Sequence, residues 1–533
     1  MASRSSAHRK IGTIELYDTT LRDGSQGEGI SYSVEDKLRI ARRLDEFGMD
    51  FIEGGWPGSN PKDEEFFSRM QGVRLRRARL AAFGSTRRAG VQPDADPQIQ
   101  KLISARTPVI TIFGKSWEQH VLHALGTTLD ENLRMIADSV KFLSANCETV
   151  IYDAEHFFDG YASNPAYAIK CLDAALEAGA QRLILCDTNG GTLPHQVTGV
   201  VRTVQAHFGT DVIGIHTHND SECAVANALA AVEQGAIQVQ GTVNGYGERC
   251  GNCNLLSIAP NLILKMGFDC GDKSSLAHLT ALSQYVDEIA NLTPDGRRAY
   301  VGKSAFAHKG GVHADAVLKG ASYEHIDPVR VGNTRRLLVS ELAGGASISG
   351  KAAEYGFDFS RKSPETKALL KTITEREHAG YSYEGAEASF ELLMMQHAGK
   401  YEPLFNLNSF CCRVEQRHEG EAVTEATVKL AVNGNERHTV AEGDGPVHAL
   451  DGALRKALAE DYPELAGIRL TDFKVRVVNT REATAAQVRV IIDSNDGETS
   501  WSTVGVSTNM IEASCHALVE SIMYGLLRCG RRK

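Results

Sequence analysis

The chain has 533 residues, of which 42% are apolar and 50 are glycine, and it carries a formal net charge of −10. That length exceeds one ordinary domain and predicts two or three. The acidic balance, with no basic stripe, excludes nucleic-acid binding as the main task, and no apolar run approaches the ~18 residues that a membrane span needs. The charged first ten residues are not followed by an apolar segment, so a secretory signal is not expected. Eleven cysteines sit irregularly, several inside apolar patterns (Cys171, Cys186, Cys515), and read as free thiols in a reducing cytoplasm. Cys250 and Cys253 form a lone CxxC without the second pair of a zinc ribbon. Arg74, Arg76, Arg77 and Arg79 precede an apolar strand and read as a solvated element end.

From Ile14 to about Cys270 short apolar strands alternate with amphipathic helices. Candidate strands begin at Ile14 (IELYD), Met49 (MDFIEG), Ala78 (ARLAAFG), Pro108 (PVITIFG), Thr149 (TVIYDAE), Arg182 (RLILCD), Asp211 (DVIGIH) and Ile237 (IQVQGTV). Near-continuous apolar strands separated by helices mean a parallel sheet covered on its outer face. Eight such units in roughly 250 residues predict a (β/α)8 barrel. A doubly wound open sheet is the competitor, but it has fewer strands as a rule, and no GxGxxG opens the first helix. That helix is marked by Ser33 as its cap, Asp36 at the capping-box position, and Val34, Leu38, Ala41 and Leu44 along one face.

Beyond the barrel, expected over 11–285, a glycine-rich and then helical stretch over 286–402 reads as a linker subdomain. The last part, 403–533, holds an internal duplication. Segments starting at Glu425 and Ala486 each run strand, polar turn, strand, glycine-bearing link and amphipathic helix, about 60 residues apart. Duplicated β-β-α units predict a third domain with its own core. It carries no cluster of His, Cys and carboxylates, so it reads as a binding or regulatory module.

Chemistry concentrates at the predicted carboxyl-terminal rim of the barrel, where this fold places its active sites. His216 and His218, in IGIHTHND, lie at i and i+2 of the seventh strand and project to one face, spaced to grip one metal ion. The first strand ends in DTTLRDG with Arg22 and Asp23. The fifth ends in YDAEH with Asp153 and Glu155 on one face, and the sixth in CDTNGG with Asp187 and Thr188. The eighth leads into NGYGERCGN with Asn244 and Asn252. Asp23 with two histidines is a ligand set for a borderline divalent metal that leaves positions open for substrate, and such a metal polarises a carbonyl. Arg22 can steady an oxyanion or a carboxylate, and Glu155 is the best-placed unassigned base. The bland alternatives are rim histidines bonded to backbone, an Arg22–Asp23 pair closing a turn, and Glu155 as a surface carboxylate.

DTTLRDG, HTHND and NGYGERCGN, in this order and on these strands, resemble the metal-dependent acyl-CoA:2-oxoacid condensing and lyase barrels. That family holds the 2-isopropylmalate, homocitrate and citramalate synthases and hydroxymethylglutaryl-CoA lyase. GGVHADAVLKGASYEHIDP and the duplicated C-terminal unit match the synthase branch, so the resemblance covers nearly the whole chain. The stretch from Tyr17 to Phe67 most resembles the long bacterial (R)-citramalate synthases.

The resemblance implies that Asp23, His216 and His218 ligate a divalent metal (Mn, Mg or Zn), with Asn252 as a further, outer ligand. It implies Arg22 at the oxoacid carbonyl and enolate, Thr188 at the substrate carboxylate, and Glu155 as the base or its partner. His313, with Asp315 and Tyr323, would come from the linker to close the site. It implies a cytoplasmic, homodimeric acyltransferase that joins acetyl-CoA to pyruvate in isoleucine biosynthesis, with isoleucine as effector of the C-terminal module. Two departures concern the pocket wall. Isopropylmalate enzymes usually carry phenylalanine where Trp56 stands, and other citramalate synthases can carry an aromatic residue where Asp153 stands. The oxoacid could therefore be 2-oxoisovalerate or 2-oxoglutarate, as in the 2-isopropylmalate and homocitrate synthases. An amidohydrolase-type metal hydrolase also uses HxH on a barrel, but on its first strand. A silent ligand-sensing barrel is the third reading.

Overall fold

The computed structural model describes residues 12–209, 211–309, 323–338, 345–360, 363–416, 422–478 and 486–531. They divide into two compact units, one from the barrel and its flanks (to Phe306, with Ile326–Thr334) and one from the rest.

In the first unit eight parallel strands alternate with helices. They are β1 (Thr13–Asp18), α1 (Val34–Phe47), β2 (Phe51–Gly55), α2 (Pro61–Met70), β3 (Arg79–Ser85), α3 (Pro97–Ser104), β4 (Val109–Lys115) and α4 (Leu129–Ser144). Then come β5 (Thr149–Glu155), α5 (Phe157–Ser163), α6 (Pro165–Glu177), β6 (Arg182–Asp187), α7 (Pro194–Phe208), β7 (Ile213–Thr217), α8 (Ala224–Glu233) and β8 (Gln238–Gly241). Each strand pairs with its neighbours in sequence, and β8 pairs with β1, which pairs with β2, so the sheet closes on itself. The expected (β/α)8 barrel is what the chain forms. After it come α9 (Leu255–Pro260), β9 (Asp269–Cys270), which pairs with the start of β1, and α10 (Leu279–Ile289).

Local sequence explains the helices. Ser33 Oγ accepts from Asp36 N at 3.2 Å while the Asp36 carboxylate accepts from Ser33 N at 2.9 Å, a reciprocal capping box. Leu38, Ile40, Ala41 and Leu44 of α1 are buried against the sheet, each larger side chain contributing about 1.5–3 kcal/mol. Helices α2, α3 and α6 start with proline after Asn60, Asp96 and Asn164, whose side chains accept from the first turn.

Alternate strand residues face the barrel interior. Tyr17, Phe51, Ala81, Val109, Ile151, Ile184 and Cys186 form one apolar cluster there. Two residues further along β2, β4 and β5, and towards the ends of β7 and β8, come Glu53, Thr111, Asp153, His216 and Gln240, all buried. The interior thus changes from apolar to polar towards the carboxyl ends of the strands.

The second unit contains the short pair β10 (Ala307–His308) and β11 (Arg336–Leu337), then helices α11 (Gly345–Glu354), α12 (Pro364–His378) and α13 (Glu387–His397). Two similar halves follow. One is β12 (Phe405–Glu415), β13 (Val423–Val432), β14 (Asn435–Gly443) and α14 (Pro446–Leu458). The other is β15 (Arg469–Val477), β16 (Val488–Asn495), β17 (Ser500–Ser507) and α15 (Met510–Arg531). Each half is a three-stranded antiparallel sheet covered by its helix. The expected strand–turn–strand–helix plan is present twice, and each copy gains a leading strand. Both leading strands lie at a sheet edge and are mostly exposed, so their polar composition (FNLNSFCCRVE, RLTDFKVRV) hid them from an apolar-pattern reading. All eleven cysteines are free. Among the described residues no helix is long and apolar enough to cross a membrane.

Candidate active site

The chain leaves β1 in a tight turn, with Arg22 N and Gly24 N both donating to Thr19 O. This turn carries Arg22 and Asp23 to the barrel mouth. Arg22 Nε donates to Glu53 Oε1 at 2.5 Å, its Nη1 pairs with Asp23 Oδ1, and its guanidinium lies 3.7 Å above the Phe83 ring centre. Two carboxylates and one aromatic face therefore fix the planar fork, which a lysine could not satisfy together. Burial alone would raise the Asp23 carboxyl. Arg22, with His216 and His218 behind it, outweighs burial and holds it below the usual range. Glu53 goes the other way, because its burial outweighs the same guanidinium.

On β7 and just beyond it, His216 and His218 face the same side, their ring centres 5.4 Å apart. His216 Nδ1 is 2.8 Å from Gln240 Oε1, and its Nε2 lies 3.6 Å from Asp23 Oδ2 and 3.1 Å from Asn252 Nδ2. His218 is pushed down to about 3 by burial and by His216 beside it, so it is a neutral imidazole. Asn252 arrives on the segment after β8. That segment is knitted to the end of β7 by an antiparallel bridge between His218 and Asn252, with Cys253 N donating to Thr217 O at 2.9 Å and Asn219 N to Gly251 O at 2.8 Å. A β-carbon on Gly247 would collide with Asn252 Oδ1, so glycine permits the close approach.

These residues fit a divalent cation by the chemistry of their atoms. His218 Nδ1 and Asn252 Oδ1 are buried without a hydrogen-bond partner, which native interiors seldom tolerate. Two buried carboxyls, Asp23 and Glu53, share a single guanidinium, and burial beside Glu53 drives a third, Asp153, well above the usual carboxylate range. Among the described residues, no three His, Cys, Asp or Glu side chains alone close a coordination sphere. Arg22 holds one Asp23 oxygen, and the group beside the two histidines and Asp23 is the uncharged amide of Asn252.

Elsewhere on the rim, Glu155 ends β5 and pairs with Lys115 at the end of β4. Thr188 Oγ1 accepts from His156 N at 2.8 Å. His156 has a positive φ of 53°, and its ring bonds Asp159 at 2.8 Å and packs edge-on against His120. Two rim groups turn away from the mouth. Asp187 accepts from Thr192 Oγ1 at 2.7 Å at the start of α7, and Asn244 donates to Asp287 and Ser283 on α10. Tyr323 belongs to the second unit and is half-exposed. His313 and Asp315 lie outside the described residues. Sequence reasoning missed Glu53, Lys115, Gln240 and the Tyr17 hydroxyl, which bonds both Glu53 and Thr111 at 2.7 Å. The available signal was strand parity: each is a polar group at an inward position of an otherwise apolar strand.

The family model HMGL-like matches residues 13–286. An (R)-citramalate synthase of Aquifex aeolicus is 53% identical over 97% of this chain and 98% of its own, and one of Geobacter sulfurreducens is 53% identical over 97% and 98%. The chain belongs to the (R)-citramalate synthase family. It is a condensing enzyme, with the barrel, the C-terminal sheets and the matched models of that family. Residues 300–378 match the homocitrate synthase post-HMGL domain-like model and 384–526 the LeuA allosteric (dimerisation) domain. A 2-isopropylmalate synthase of Shewanella frigidimarina is 30% identical over 95% of this chain and 94% of its own.

Proposed function

We propose that this enzyme condenses acetyl-CoA with pyruvate and water to give (R)-citramalate and CoA. The observation that carries the reading is identity of about half with (R)-citramalate synthases along nearly the full length of both chains. A divalent metal (Mn, Mg or Zn) held by Asp23, His216, His218 and Asn252 would polarise the pyruvate ketone and anchor its carboxylate. Gln240 Oε1, 2.8 Å from His216 Nδ1, is placed to accept a hydrogen bond from that nitrogen and so leave Nε2 for the metal. Thr188 binds the pyruvate carboxylate. Arg22, held by Glu53 and Asp23, donates its remaining N–H groups to the ketone oxygen as negative charge builds there. Glu155, held by its contact with Lys115, removes a proton from the acetyl methyl group. The methyl carbon then bonds to the ketone carbon, whose oxygen is protonated. Water cleaves the thioester, releasing the CoA thiol and leaving a second carboxylate.

In this reading His313 assists catalysis, and Asp315 and Tyr323 bind substrate. The enzyme is a cytoplasmic homodimer of the isoleucine pathway, with its C-terminal module as the isoleucine site. Support for the dimer and the regulation is the matched LeuA allosteric (dimerisation) model. Release of free CoA is the test, measured with pyruvate, 2-oxoisovalerate and 2-oxoglutarate in turn. Pyruvate is expected to give the highest kcat/KM. Preference for 2-oxoisovalerate would make it a 2-isopropylmalate synthase, and for 2-oxoglutarate a homocitrate synthase. An inhibition curve for isoleucine at fixed pyruvate tests the regulatory part, and a flat curve rejects it.

A further inference from the structure

Asp153 has no part in the chemistry above, yet it is buried at the centre of the barrel. Gln240 Nε2 donates to Asp153 Oδ1 at 3.2 Å, and Gln240 Oε1 faces His216 Nδ1 at 2.8 Å. All three side chains are buried. The three strands are β5, β8 and β7. Since β5 and β8 are not neighbours in the sheet, the chain of bonds crosses the barrel interior instead of running along its wall.

We propose that Asp153 and Gln240 act in series as positioning residues for His216: the carboxyl decides which way the amide faces, and the amide decides which ring nitrogen carries the proton. Asp153 Oδ1 accepts whether or not Oδ2 carries a proton, so the amide NH2 turns to it and the amide carbonyl turns to the histidine. The carbonyl demands a proton on Nδ1, which leaves the Nε2 lone pair towards Asp23 and Asn252. The far end agrees. Asn252 Nδ2 lies 3.1 Å from His216 Nε2 and 3.5 Å from Asp23 Oδ2, a donor between two acceptors. Reversing the Gln240 amide would require Nε2–H, and that proton would meet the Asn252 NH2. Two carboxyls, one at each end, thus set the direction of the whole chain. A free neutral imidazole favours the opposite, Nε2–H tautomer, so the network overturns a default. The inference rests on the proposed role of His216 as a metal ligand for its purpose, but the tautomer itself is a property of the metal-free protein.

The experiment uses full-length protein labelled with 15N-histidine, metal-free and at mildly alkaline pH. Long-range 15N–1H correlations give the His216 tautomer, and titration with Mn2+ alone gives the affinity. Wild type is expected in the Nδ1–H form. Gln240→Leu should shift it towards Nε2–H and weaken Mn2+ binding by roughly 10–100-fold, as loss of an outer hydrogen bond to a ligating histidine does. Gln240→Glu again presents an acceptor to Nδ1 and should hold the Nδ1–H form. Asp153→Asn, whose amide can accept or donate, frees the Gln240 amide to turn and should leave the two tautomers mixed. That mixing decides the matter if Gln240→Leu does not fold. An unchanged tautomer in folded Gln240→Leu or in Asp153→Asn, or loss of the Nδ1–H form in Gln240→Glu, overturns the relay. If wild type fails to bind Mn2+, or His216→Ala binds it equally well, the metal reading falls instead, and the tautomer still judges the relay.

Discussion

Arg22→Lys keeps the positive charge and removes the fork. In the structure one guanidinium meets Glu53 through Nε, Asp23 through Nη1 and the Phe83 face at 3.7 Å. A lysine ammonium reaches one carboxylate at a time, so one buried acceptor loses a charge-assisted hydrogen bond worth about 1.5–3 kcal/mol. The ring contact adds about 1 kcal/mol more. A destabilisation of about 2.5–4 kcal/mol follows, which in a unit of this size lowers Tm by roughly 4–6 °C. The catalytic loss is separate. Removing a donor preorganised towards a developing oxyanion lowers turnover by about 10²–10³-fold, and here Asp23 would also lose the partner that orients it. CoA release with acetyl-CoA and pyruvate, measured well below the Tm of the variant, separates the two effects. A kcat/KM for Arg22→Lys within about threefold of wild type would refute both the oxyanion role and the claim that the fork matters.

Three further outcomes are expected. Glu155→Gln should bind metal and pyruvate as wild type does and lose about 10²–10⁴-fold in kcat; unchanged exchange of acetyl-CoA methyl protons with deuterated solvent would reduce Glu155 to a wall residue. Gly247→Ala should displace Asn252, since the added carbon meets its Oδ1, and weaken Mn2+ binding; affinity equal to wild type would show that Asn252 is not a ligand. Asp18 is buried and its pKa is raised to about 7, chiefly by desolvation. The folded chain therefore keeps a proton that the unfolded chain has lost above about pH 4, so stability falls as pH rises through that window by up to about 1.4 kcal/mol per pH unit. Asp18→Asn should flatten the fall of Tm between about pH 5 and 7, and an equally steep fall in the variant would assign it elsewhere.

The barrel was legible because each strand is buried on both faces and so reads as a short apolar run, from IELYD to IQVQG. The His216–His218 pair was legible because strand parity turns i and i+2 to one side, and Asp23 and Asn252 because their motifs fall at strand ends. Asp187 and Asn244 stand at similar ends, yet they bond to Thr192 and to Asp287. Position at a rim does not say which way a side chain turns when a neighbouring helix offers a partner. Glu53 and Gln240 were missed for the opposite reason. A lone polar residue inside an apolar run looks like an interruption until the closed sheet shows five such interruptions at one level. The leading strands β12 and β15 escaped because an edge strand exposed to water has no need of an apolar face.

The bridge between His218 and Asn252 gives the site a mechanical character. Backbone bonds fasten the segment after β8 to the end of β7, so two of the four expected donors move as one body. An ion entering such a frame would find its ligands in register and give up little chain entropy in collecting them. The amides of Cys253 and Asn219 should accordingly exchange with solvent slowly even in metal-free protein, at rates set by opening of the barrel end and not by local fraying.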